Sequence, residues 1–275
     1  MMRRIEPTFL VFGALGGLLL FTLVLPIVNL FIQADLTGWT RSLQEPGASD
    51  ALGVSALSSA ISVVIMTLFG VPLGYVLARG RLRFTQFWIA LVFLPMVVPD
   101  LAGGILLLQT FGPHGTIGHP LGAWGLELTN HLAGIVVAQL FVSAPFVVVS
   151  ALAAFTGVDP KLEMAAATLG DSPWHIFWRV SLPLAWPGIA AGITLAWIRA
   201  LGEFGATLIV AYNPHTLPVY MWVMFESNGL TGALPVAFVL VLLVGVAVAL
   251  SGLLSRVSGY RDTAAVLGDM HGRLP

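Results

Sequence analysis

Six stretches, 9–32, 54–78, 87–111, 132–155, 188–211 and 233–254, are apolar for too long to be dissolved in water. A helix of roughly 20 apolar residues crosses a hydrocarbon core of about 30 Å, and each stretch reaches that length. They are continuous apolar runs rather than short alternating segments parted by turns, which excludes a membrane β-barrel. Helices satisfy their own backbone in lipid and are therefore the fold these runs dictate. Composition agrees: 9% of the 275 residues are charged, against roughly 25% in an ordinary soluble domain, and the mean hydropathy is +0.94. The expectation is an all-α integral membrane protein, a single domain over 1–275 with six transmembrane helices.

Arg3 and Arg4 before the first run give it the look of a signal peptide. The run is longer than a signal core of about 7–15 residues, and no small-residue cleavage site follows, so it is expected to be a retained anchor. Positive loops stay on the cytoplasmic side. Arg3, Arg4, Arg79, Arg81, Arg83, Lys161, Arg179, Arg256, Arg261 and Arg273 all fall in one alternating set of loops, and the other set holds only Arg41. Both termini are thus expected in the cytoplasm and the number of spans is expected to be even.

A net charge of −1 and the lack of a basic aromatic patch give no basis for nucleic-acid binding. With no cysteine in the chain, disulfides, thiol catalysis and cysteine metal sites are excluded. His114, His119, His131, His175, His215 and His271 are scattered without metal-ligand spacing, so no metal site is expected. Spacings of the GxxxG type at Gly13/Gly17, Gly70/Gly74 and Gly188/Gly192 are candidates for helix contacts. Chance alone supplies such spacings in a chain with 30 glycines.

One connection, 156–187, carries structure of its own. Asp159-Pro160 is an N-cap and first-turn pair, the residues from Lys161 to Leu169 favour helix, and Gly170 is a C-terminal stop. Ser172-Pro173 repeats the start signal, and Pro183 with Pro187 is expected to break the chain before the fifth span. Two short helices joined at a Gly170-Asp171 corner are predicted. They fit either an amphipathic hairpin lying on the membrane or, through Ala165, Ala166 and Ala167, a surface for close docking against another protein.

On these residues the chain resembles the permease subunits of ABC importers. Their cytoplasmic EAA loop reads E-A-A-x-x-x-G, nine further residues, then I-x-L-P. Ala165, Ala166, Gly170, Val180, Leu182 and Pro183 stand at matching positions with the spacing kept. The glutamate position holds Met164, with Glu163 just before it and about 100° away around a helix. The segment 199–207, RALGEFGAT, and the segment 93–104, FLPMVVPDLAGG, are similar to the branch that carries sulfate, molybdate and tungstate; 211–237 looks more like the molybdate and tungstate members.

Three ionisable side chains fall inside predicted spans: Asp100 in the third, Arg199 and Glu203 in the fifth. Counted from the predicted cytoplasmic ends, Arg199 lies about 16 Å deep and the two carboxylates about 20–22 Å deep. Charges there cost at least about 2.5–3.5 kcal/mol and usually face a bundle interior or a water-filled path. Arg199 and Glu203 share a helix face and can pair. They form either a structural ion pair or, with Asp100, part of a translocation route in which Thr207 and helix N-termini receive an anion. Pro95 and Pro99 are expected to loosen the third helix where a gate is built.

The resemblance implies a role for the whole chain. It would be half of a conduit, dimerising with a second permease protomer, most readily a copy of itself, in the cell membrane. A separate ATP-hydrolysing subunit, present in two copies, would dock on the loop at Glu163, Met164, Ala165, Ala166, Gly170, Asp171, Val180, Leu182 and Pro183. An extracytoplasmic binding protein would deliver molybdate or tungstate, or alternatively sulfate, for inward transport by alternating access. No Gly-Lys pair occurs, hence no Walker A phosphate loop. The chain is expected to bind no cofactor and to be no enzyme, ATP and Mg being used by the partner. A secondary transporter using Asp100 and Glu203 as proton-coupling groups and a purely structural membrane scaffold are the competing readings.

Overall fold

A computed structural model describes residues 7–35, 39–40, 44, 46–80 and 82–271, with side chains described between 11 and 250. Arg3, Arg4, Arg41, Arg81 and Arg273, and the side chains of Arg256 and Arg261, which carry part of the orientation expectation, lie outside the described residues. Among the described residues every regular element is helical. Helix α1 is Pro7–Ile32, α2 Pro46–Ala78, α3 Thr85–Val97, α4 Asp100–Phe111, α5 Gly118–Gly122 and α6 Leu132–Thr156. Then follow α7 Pro160–Thr168, α8 Pro173–Ile176, a π-helical turn Phe177–Ser181, α9 Leu182–Leu201, α10 Gly205–Val210 and α11 Leu217–His271. Five are long and apolar enough to cross a membrane, or six if the bent pair α3–α4 is one span.

The centre is built on α6, with α2 on one flank and α9 on the other. Met66 and Val71 of α2, Val147, Ala151 and Phe155 of α6, and Ile189, Ala196 and Ala200 of α9 form its buried cluster. Lipid tails are as apolar as leucine, so helices associate in a bilayer by close packing, which small residues permit. Both flanks use a GxxxG pair for this. A Cβ added at Gly74 would stand 2.6 Å from the Ala151 Cβ, and one at Gly192 would stand 2.2 Å from the Ser150 Cβ. Gly70 and Gly188 meet Val147 and Ala154 in the same way. Around Gly13 and Gly17 there is open space.

Four of the expected spans are built differently from their sequence reading, the second beginning at Pro46 rather than 54. The third, expected as one helix over 87–111, is two helices bent by 111° at Val98-Pro99. Pro99 lacks an N–H and forces the preceding residue into extended backbone, and Val98 has φ −71° and ψ 126°. Pro95, by contrast, is carried inside α3. The fifth begins before 188: the backbone is helical from Pro173 through the π-helical turn into α9, a run of 29 residues to Leu201 that carries both Pro183, in the first turn of α9, and Pro187. It ends at Leu201, and α10 is a separate helix after a break at 202–204. The sixth begins at Leu217 rather than 233, with a non-helical residue at Gly229, φ 65° and ψ −153°. Only glycine adopts that backbone readily.

Candidate functional site

Arg199 stands in the last turn of α9. Measured from Leu182 it is about 26 Å along the helix axis. The break that follows turns the chain so that Glu203 is fully buried, and Arg199 Nη1 donates to its Oε2 at 2.9 Å. The other carboxylate oxygen accepts the Ala206 N–H at 2.7 Å, which caps α10. Arg199 Nη2 donates to both oxygens of Asp100, each at 2.7 Å. Asp100 lies in the first turn of α4, where the helix dipole favours an acid. Gly205 admits this approach: a Cβ there would be 2.7 Å from the Asp100 Cβ.

The three ionisable groups singled out in the sequence thus form one cluster joining α4, α9 and α10. Pro99, at the bend, places Asp100 at the head of α4. Thr207 is buried in α10, and its hydroxyl has no hydrogen-bond partner. Asp100 and Arg199 remain partly exposed, at 44% and 29% of their side chains, whereas Glu203 is at 0%. One guanidinium faces two carboxylates, so the cluster's formal charge does not attract an anion. It ties helices together.

Next to it lies a polar centre that the sequence reading passed over. Gln139 of α6 accepts from Ser62 Oγ at 2.7 Å and donates to Ser58 Oγ and to the Ala200 carbonyl, both at 3.1 Å. The Ala200 carbonyl, near the end of α9, also accepts the Glu203 N–H at 3.2 Å. Trp197 Nε1 donates to Ser59 Oγ at 3.2 Å, and the Leu217 N–H to Ser55 Oγ at 2.7 Å. Ser55, Ser58, Ser59 and Ser62 are buried at helical spacing on α2. That spacing within an apolar run was the signal available in the sequence.

At the opposite end of α9 the 156–187 connection folds as two short capped helices. Asp159 Oδ1 accepts the Lys161 N–H at 2.9 Å to open α7, and Ser172 Oγ accepts the His175 N–H at 3.4 Å to open α8. Gly170, at φ +94°, makes the corner between them, followed by Asp171. On α7 the exposed apolar groups are Leu162, Met164 at 59% and, just past its end, Leu169 at 88%. Ala165 is exposed and Ala166 buried beneath it. Glu163 turns the other way, into an ion pair with Arg79 at the end of α2. Val180 lies in the π-helical turn, and Leu182 and Pro183 open α9.

Comparisons with known proteins agree with this architecture. Residues 70–259 match the family model described as "Binding-protein-dependent transport system inner membrane component". The chain is 44% identical over 228 residues to a probable molybdenum ABC transporter permease of Haloferax volcanii, covering 82% of this chain and 83% of the relative. It is 40% identical over 258 residues to a molybdate/tungstate transport system permease of Thermococcus kodakarensis, covering 93% and 99%. A sulfate transport system permease of Synechocystis is 30% identical over 249 residues, covering 88% and 90%. The solved structure of a bacterial ABC transporter that imports alginate shares the fold, with a TM-score of 0.67 at 19% identity over 92% of this chain and 96% of that one. A chain of apolar membrane-crossing helices packed on α6 that matches this family model over most of its length is a multi-pass membrane protein and belongs to the family of inner membrane components of binding-protein-dependent transport systems.

Proposed function

We propose that this chain is the permease subunit of an ATP-driven importer of molybdate or tungstate. A separate ATP-hydrolysing subunit docks on the α7–α8 connection. The observation that carries the reading is the form of that connection: a capped helix that offers Leu162, Met164, Ala165 and Leu169 outward as an apolar surface with no partner in this chain's own core. Exposed apolar side chains grouped on a loop mark an interaction site. Gly170 and Asp171 shape the corner beside that surface, while Ala166, Val180, Leu182 and Pro183 join it to α9. The relatives at 44% and 40% identity favour molybdate or tungstate over sulfate, for which the relative cited above is at 30%.

In this reading a second protomer, a copy of the same chain, completes the conduit, two copies of the ATPase bind the two connections, and an extracytoplasmic binding protein supplies the anion. The α7–α8 end and both termini face the cytoplasm, in the cell membrane. ATP-driven closure of the partner moves α7, the spans rearrange, and the anion leaves inward. Asp100, Arg199 and Glu203, with Pro99 at the bend and Pro95 in α3, form a closure between α4 and α9. Opening it frees Arg199 and the Thr207 hydroxyl toward the anion. The reading is tested by purifying the chain with a co-expressed ATPase and adding molybdate-loaded or tungstate-loaded binding protein. Copurification and stimulated ATP hydrolysis are expected. Failure of the ATPase to associate, or uptake that survives deletion of residues 162–170, would overturn it.

A further inference from the structure

Glu163 has no counterpart role in a docking surface, because its carboxylate faces inward. Arg79, the first residue beyond α2, donates from Nε to both Glu163 oxygens at 3.1 and 2.9 Å and from Nη2 to Oε1 at 2.5 Å. Its remaining arm, Nη1, donates to the Phe155 carbonyl at 2.8 Å, near the end of α6. Ser181 Oγ in the π-helical turn donates to the same Glu163 oxygen at 2.5 Å. The guanidinium lies 5.5 Å from the centre of the Tyr75 ring, which packs edge-on to Phe155 and Phe177 at 5.1 and 5.0 Å. The ends of α2 and α6, helix α7 and the turn leading into α9 therefore meet at one ion pair.

Burial decides how firmly they meet. The Arg79 and Glu163 side chains are only 10% and 14% exposed, so the pair is shielded from the water and salt that weaken surface pairs. Charge-assisted hydrogen bonds are roughly twice as strong as neutral ones, and a guanidinium fork fixes orientation as well as distance. The Glu163 hydrogen bonds, aided by its charge, raise the Arg79 pKa above its ordinary value against the opposing effect of burial. Helix α7 has little else to hold it: of its residues, Ala166 is the buried one.

We infer that Glu163 is a positioning residue: with Arg79 and Ser181 it forms the joint through which displacement of α7 is passed to α2, α6 and α9. This rests on the reading of α7 as the docking helix and assigns the transmitting contact to named side chains. Neighbouring positions on α7 divide the labour, Met164 facing outward to the partner and Glu163 inward to the bundle. An acid at 163 and an apolar residue at 164 are what such a helix needs. Without the joint, a pushed α7 slides over the helix ends instead of moving them.

The experiment uses the complete complex of permease, ATPase and binding protein in proteoliposomes and measures ATP hydrolysed per molybdate taken up, beside the ratio of ATPase to permease after purification. For Glu163→Gln and Arg79→Lys the purified ratio stays as in the wild type. ATP consumed per anion rises at least about fivefold, the low end of ordinary coupling between sites. Glu163→Asp, which keeps the charge, recovers part of the loss. A merely structural contact would lower hydrolysis and uptake together and leave their quotient unchanged, and that result overturns the inference. So does loss of the ATPase from both variants, which would place the pair in docking or folding. A wild-type chain that binds no ATPase would instead sink the proposed function itself.

Discussion

Arg199 Nη2 bonds both carboxylate oxygens of Asp100 at 2.7 Å, although 99 residues separate the two in the chain. The same guanidinium holds Glu203 one turn further along. The two bonds are unlike. Glu203 is sealed in and also held by the Ala206 N–H, while Asp100 arrives on another helix and keeps 44% of its side chain exposed. The Asp100 bond is the separable one.

Removing Arg199 therefore differs from removing Asp100. Arg199→Leu strands a buried carboxylate and is expected to destabilise the protein by about 3–5 kcal/mol. Asp100→Asn is expected to cost no more than about 1 kcal/mol, as partly exposed pairs do. Unfolding of both variants in the same detergent gives the comparison, and equal losses would contradict the unequal roles.

Gln139→Leu removes three hydrogen bonds at once; the Ala200 carbonyl keeps the Glu203 N–H and Ser58 Oγ keeps the Ser55 carbonyl, so the buried Ser62 hydroxyl is the group left short of a partner. One buried group left unsatisfied costs about 1–3 kcal/mol and each of the other two lost bonds about 0.5–1.5 kcal/mol, so a loss of at least about 2 kcal/mol is expected. Ser59→Ala, which frees one indole N–H, is expected to cost about 1 kcal/mol. Thermal denaturation ranks them; an innocuous Gln139→Leu would mean that the polar centre holds nothing together.

Gly192→Val pushes a Cβ into Ser150, at 2.2 Å, and must drive α9 off α6. Overpacking of this kind costs about 1–3 kcal/mol or more. Gly17→Val meets open space and is expected to change stability by less than about 0.5 kcal/mol. The two melting temperatures should separate clearly, and a shared value would argue against the close α6–α9 contact.

Leu169→Asp alters a side chain that is 88% exposed. The isolated permease should keep its stability to within about 0.5 kcal/mol. Binding of the ATPase should fall at least about tenfold, the effect of losing about 1.4 kcal/mol at an interface. Titration of the purified subunits measures it, and undiminished binding would move the docking surface elsewhere.

The apolar runs made the membrane helices legible, and local chemistry did the same for α7 and α8: Asp159 and Ser172 cap the helices they were expected to open. Proline was the harder signal. A proline at a helix start and one that ends a helix look alike in sequence: Pro183 reads as a break but stands in the first turn of α9, and Pro99 reads as a kink but turns the chain by 111°. The glycine pairs were visible but indistinguishable from chance; only the facing helix shows that Gly70/Gly74 and Gly188/Gly192 grip α6 and that Gly13/Gly17 do not. Arg199 and Glu203 could be paired from their spacing. Asp100 and Gln139 join their partners through tertiary folding, which no local pattern encodes.

Helix α1 has none of its apolar residues buried within the fold over Val11–Ile32, and its Phe31 ring meets Phe238 of α11 edge-on at 5.1 Å near its end. Within this chain its free energy is then set far more by transfer from water to lipid than by cohesion with the other helices. A polar substitution midway along it, at Leu19 or Leu20, would register in the efficiency of membrane insertion while the bundle's melting behaviour stayed the same. Within one polypeptide, α1 answers to the solvent and α6 to its neighbours.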